Sequence, residues 1–176
     1  ESEMRTPEAR RDLSVSLDDV GRVRVLSEQP GFRECFEEAL GIKRGIEAEL
    51  KTPDARRGLA ITLDYMAFSF ESERDLSRAQ ATYEESLEIR RNLASELRTP
   101  EARRDLAITL NSIGRVLASQ LNFVGAWERF EESLAISRAL AAEFPLHQQF
   151  REDLLAAEAS FGAQEGMRSD PDPEPG

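Results

Sequence analysis

Two residue types capable of nucleophilic or acid–base chemistry near neutral pH occur once each, Cys35 and His147. A reactive thiol needs a base within reach, and more than two repeats of the pattern described below separate this pair. Cys35, beside Phe36, is expected to be a small buried hydrophobe, and His147, in a polar turn, an exposed residue. Carboxylates are abundant, and a facing pair of them could hydrolyse a glycosidic bond. The pairs Glu37-Glu38, Glu84-Glu85 and Glu131-Glu132, however, return at a fixed period beside Phe36, Tyr83 and Phe130. That is the pattern of a solvated helix face. The glycines are scattered singly, so no phosphate-cradling loop is present, and no Cys/His cluster is spaced to hold a structural metal. The expectation is a protein without catalytic activity, cofactor or metal.

What must then be explained is repetition. "RTPEARRDL" at Arg5 returns at Arg98, and "KTPDARRGL" begins between them at Lys51. Each copy reads as a helix start. Thr6, Thr52 and Thr99 are N-caps whose hydroxyls accept a free backbone N–H. Pro7, Pro53 and Pro100 fill the first helical position, where a missing N–H costs nothing. Glu8, Asp54 and Glu101 meet the positive end of the helix dipole. Apolar residues follow at helical spacing: Leu13, Leu17 and Val20, then Leu59, Leu63 and Met66, then Leu106, Leu110 and Ile113. After a break, a second helix carries Phe36, Tyr83 and Phe130 at matching places.

Each unit is thus a helix A, a turn and a helix B that runs almost directly into the next Thr-Pro, which forces neighbouring helices antiparallel. One hairpin cannot cover its own apolar stripe; stacked hairpins can. The predicted fold is all-α, a right-handed helical-repeat solenoid of three antiparallel pairs over about 5–50, 51–97 and 98–144, plus a capping helix over 146–161 built on Phe150, Leu154 and Phe161. Residues 1–161 would form this domain, and the acidic, Pro-rich residues 162–176 a disordered tail.

The formal net charge of −11 argues against nucleic acid or an anionic membrane as partner. No apolar run is long enough to span a bilayer, and the charged opening lacks the apolar stretch of a signal peptide, so a cytoplasmic location is expected. A chain that opens almost directly on a repeat is also expected to be a segment of a longer array.

The spacing within each pair resembles the tetratricopeptide repeat. Leu110, Ile113, Gly114 and Leu117 match its helix A positions in the third unit, with Ala126 and Phe130 on helix B. Leu63, Met66, Ala67, Phe70, Ala79 and Tyr83 fill the same places in the second. The period of about 47 exceeds the family's usual 34, and the first unit departs further, with Arg24 where a bulky apolar residue is usual; a HEAT-like array is the fold-level alternative. The resemblance implies an interaction scaffold whose A helices line a groove for a peptide or helix of a partner protein. Carried over by position, the groove residues are Asp18, Asp64 and Asn111; Tyr65, flanked in its row by Asp19 and Ser112; and Arg22, Phe68 and Arg115.

Arg11, Arg57 and Arg104 sit on the same helical stripe. They either form a guanidinium band suited to an acidic partner or pair with glutamates of the preceding B helix, such as Glu47, Glu49 and Glu96, in a solvated lattice. Phe68 and Tyr65 are either binding anchors or packing residues. Two other roles are compatible with the sequence, a self-association module using the N-terminal edge or the degenerate first unit, giving a homo-oligomer, and a regulatory segment of a larger signalling protein.

Overall fold

The computed structural model describes residues 6–168. Helices α1 (Pro7–Leu26), α2 (Phe32–Leu50), α3 (Pro53–Ser72), α4 (Leu76–Leu97), α5 (Pro100–Ser119), α6 (Phe123–Glu143) and α7 (Gln148–Arg168) account for nearly all of them, with no strand among the described residues. The chain divides into two compact units, residues 1–97 with α1 to α4 and residues 98–176 with α5 to α7. In the first unit α1 packs on α2, α2 on α3 and α3 on α4; in the second α5 packs on α6 and α6 on α7. The architecture is all-helical, a repeat of helix pairs as the sequence periodicity requires.

The Thr-Pro segments begin the A helices. Thr6, Thr52 and Thr99 accept from the amides of Ala9, Ala55 and Ala102 at 3.1, 3.2 and 3.2 Å. The backbone repeats along with the letters. Glu28, Arg74 and Leu121 adopt positive φ at the three A–B turns, and Lys51 and Arg98 do so where a B helix meets the next Thr-Pro. A single left-handed residue reverses the chain within two or three positions at every connection but the first, where Glu28 and Gly31 both adopt positive φ in a longer turn.

Phe36, Tyr83 and Phe130 are buried. Glycines make room for the two phenylalanines. A Cβ at Gly21 would stand 2.4 Å from the Phe36 ring, and one at Gly114 would stand 2.6 Å from the Phe130 ring. Ser86 and Ser133 tie the hairpins further by donating to the carbonyls of Ala60 and Ala107 at 3.2 and 2.8 Å.

Two expectations need correction. Val20 was placed on the buried stripe of α1, yet it is 45% exposed, whereas its counterparts Met66 and Ile113 are buried. The buried residues of α1 are Ser14, Asp18 and Gly21, because α1 has a helix against it on one side where α3 is covered on two. The capping helix does not stop at 161 but runs to Arg168, since Ala163, Gln164, Glu165 and Met167 are good helix formers. Residues 1–5 and 169–176, with the rest of the expected tail, lie outside the described residues.

Candidate functional site: paired cavities on the A-helix faces

Each unit contains a cavity on the side lined by its A helices. In the first unit it measures about 330 Å³ and lies among α1, α2 and α3. In the second it measures about 170 Å³ among α5, α6 and α7. The linings correspond position by position. Arg11, Ser14, Val15, Asp18, Asp19 and Arg22 of α1 have as counterparts Arg104, Ala107, Ile108, Asn111, Ser112 and Arg115 of α5, and Lys43 and Ile46 of α2 have Ser137 and Leu140 of α6. The repeat therefore builds the same recess twice.

The floors differ in chemistry. In the first cavity Lys43 and Asp18 form an ion pair whose side chains are only 8% and 6% exposed. Thr62 of α3 joins them, donating to Asp18 at 2.9 and 3.0 Å and accepting from Lys43 Nζ at 2.8 Å. Burial pushes the Asp18 carboxyl above the usual carboxylate value, against the lowering by the hydrogen bond and charge of Lys43. Asp18 thus does not present a free carboxylate to a partner, as the groove position had implied; it locks α1 to α2 and α3. Asp64 behaves in the same way towards Arg90 of α4, with Nη2 to Oδ2 at 2.6 Å.

The arginines take a mixed role. The first arginine of each "ARR" makes a lattice, but to the B helix of its own hairpin and not, as expected, to the preceding one: Arg10 pairs with Glu49, Arg56 with Glu96 at 2.7 Å and Arg103 with Glu143 at 2.7 Å. The second arginine turns to the cavity side, where Arg11 reaches Asp54 of α3 at 3.0 Å and Arg104 reaches Asp153 of the capping helix α7 at 3.2 Å. Arg57 lines the first cavity. Within each unit the cavity-side arginine, Arg11 or Arg104, already faces an acid of the fold itself.

Tyr65 is half-buried. It stacks on Phe36 with ring centroids 5.6 Å apart, and Arg22, itself paired with Asp19, lies 5.7 Å over its ring. Phe68, by contrast, is 42% exposed and lines neither cavity. Asn111 and Arg115 both line the second cavity. Cys35 is buried, 3.5 Å from a guanidinium nitrogen of Arg24. His147 is exposed and stacked on Phe150, with centroids 3.9 Å apart. No cluster able to hold a metal occurs among the described residues.

Lys43 is the residue that the reading by position missed, together with the apolar walls Val15, Ile61 and Ile108. The signal was in the letters. Position by position, the three hairpins carry Asp18 with Lys43, Asp64 with Arg90, and Asn111 with Ser137. The acid and its base vanish together in the third, which is what a contact between them demands.

Comparison with known proteins gives a likeness of fold. No family model matches the sequence, and no curated protein does. A solved structure described as BtubC (BKLC) from P. vanneervenii is similar over 99% of this chain and 72% of its own, with a TM-score of 0.53 at 18% identity. At that identity the similarity speaks for the helical architecture alone. No described helix is long and apolar enough to cross a membrane.

Proposed function

We propose that the protein is a non-catalytic, cytoplasmic interaction scaffold of the tetratricopeptide-like kind, which holds a peptide or helix of a partner protein against its A-helix faces. The observation that carries this reading is the recurrence of one cavity, with corresponding linings, in both units. A recess needed only for packing would be filled by larger side chains, since interiors approach crystal density. These recesses keep an apolar wall of Val15, Ile46 and Ile61 under a polar rim, the composition of a site that binds by shape and is oriented by a few polar groups. Because acids of the fold answer much of the arginine charge, affinity should depend on shape more than on an acidic partner.

The test is a selection of random displayed peptides on the full chain. Binders should lose at least about tenfold in affinity when Val15→Trp and Ile108→Trp plug the two cavities, a loss of about 1.4 kcal/mol. Binders indifferent to both substitutions would contradict the reading.

One observation favours self-association as a second role. Val20 and Val23 of α1 are 45% and 60% exposed, although Met66 and Ser69 at the same places in α3 are buried. Light scattering at high protein concentration should show a dimer that Val20→Glu dissociates; a monodisperse monomer would remove this role.

A further inference from the structure

The two cavities differ most on their far walls, α3 in the first unit and α7 in the second. When Phe161-Gly162 of α7 is aligned with Met66-Ala67 of α3, Phe150 takes the place of Ala55 and Asp153 the place of Gly58. All four residues line their cavities. In the second unit the Phe150 ring, 4% exposed, occupies this part of the recess, and Asp153 draws in Arg104 at 3.2 Å. The first unit has only a methyl group and a hydrogen atom at those places. Its cavity is correspondingly larger, about 330 Å³ against about 170 Å³.

Packing within the fold does not account for Gly58. It lies inside α3, where alanine is ordinarily favoured over glycine. A Cβ there would make no more than an ordinary contact, 3.9 Å from Cδ of Lys43. The other two A helices carry aspartate at this position, Asp12 and Asp105. The surfaces beside the gap are apolar and accessible, with Val15 and Leu50 46% and 44% exposed and Ile61 half-buried.

We propose that the first cavity is a subsite for an aromatic side chain of the partner, which lies over Ala55 and Gly58 where the second unit supplies its own Phe150. This rests on the reading that the A-helix faces take a peptide. One unit thus shows what fills the recess of the other. A ring presents a large, rigid apolar area to Val15, Leu50 and Ile61, as the aromatic anchors of interfaces do. A charged tip would find no free counter-charge at the floor, where Lys43 and Asp18 already answer each other.

The probe is the same library of random displayed peptides, selected on the full chain. Peptides that bind should carry Phe, Tyr or Trp more often than the library does. One such peptide should lose at least about tenfold in affinity when its aromatic residue is replaced by Ala. It should lose as much on Ala55→Phe/Gly58→Asp, which installs the residues of the second unit. Gly58→Leu, which fills the gap with a good helix former and should leave the melting temperature undiminished, covers the case in which the double variant does not fold. Binders sensitive to Val15→Trp but without aromatic enrichment, or binding Gly58→Leu as tightly as the parent, overturn this subsite and leave the scaffold reading standing. Failure to recover any binder overturns both.

Discussion

Replacing Lys43 by methionine should destabilise the chain by about 3–5 kcal/mol at pH 7, because Asp18 would remain buried without its counter-charge. The side chains of this pair are 8% and 6% exposed, so water cannot replace the lost partner. Asp18→Leu combined with Lys43→Met should lie close to the parent, since buried pairs are often replaced by apolar residues at little cost. The pH dependence carries a definite sign. Burial raises the folded-state pKa of Asp18 above 3.8, so the folded chain binds the proton more tightly than the unfolded one. The stability associated with that proton is fully present below the ordinary carboxylate range and is lost as pH rises through the raised pKa. Removing Lys43 takes away the two largest opposing influences and must raise the pKa further. The deficit of Lys43→Met should therefore shrink on acidification towards the carboxylate range. Thermal melts across that range check this, and a deficit that stays constant or grows on acidification would mean that Asp18 is not the group responsible.

The second large effect is predicted at the contact of Gly114 with Phe130. Phe130 is 3% exposed, so Phe130→Ala should cost about 3–5 kcal/mol through lost burial and the cavity left behind. Gly114→Ala adds a single methyl group in mid-helix, where alanine is ordinarily favoured by up to about 1 kcal/mol. Here the Cβ would stand 2.6 Å from the ring, and overpacking of about 1–3 kcal/mol should prevail. The two substitutions must then couple. In the Phe130→Ala background, Gly114→Ala should become neutral or stabilising, a change of sign that chemical denaturation of the four proteins reads directly. Additive effects would show that the ring does not rest on the glycine.

Why the fold was legible and the site only partly so follows from these residues. Helix starts depend on local chemistry, and Thr-Pro-acid specifies N-cap, first turn and dipole within three letters; all three N-caps are made. The aromatic positions were equally readable, since their period is the fold's own. Exposure at the N-terminal edge was not, because Val20 and Met66 look alike in sequence and differ only in what packs beside them. The cavities were half legible. Transfer by position found Arg11, Arg22, Arg57, Tyr65, Arg104, Asn111 and Arg115 near them, and it also brought in Asp18 as a surface group and Phe68, which lines neither cavity. A charged residue on an A helix reads as solvated until the base on the B helix is set against it. That comparison between hairpins, and no single motif, exposes Lys43.

The most direct test of the scaffold reading is where a bound peptide lands. Backbone amide resonances of the full chain, followed while a selected peptide is titrated, should move at Val15, Asp19 and Arg22 of α1 or at Ile108, Ser112 and Arg115 of α5. Glu38, Glu85 and Glu131 on the B helices should stay still. Shifts confined to the B-helix glutamates, with the cavity residues unmoved, would contradict the account.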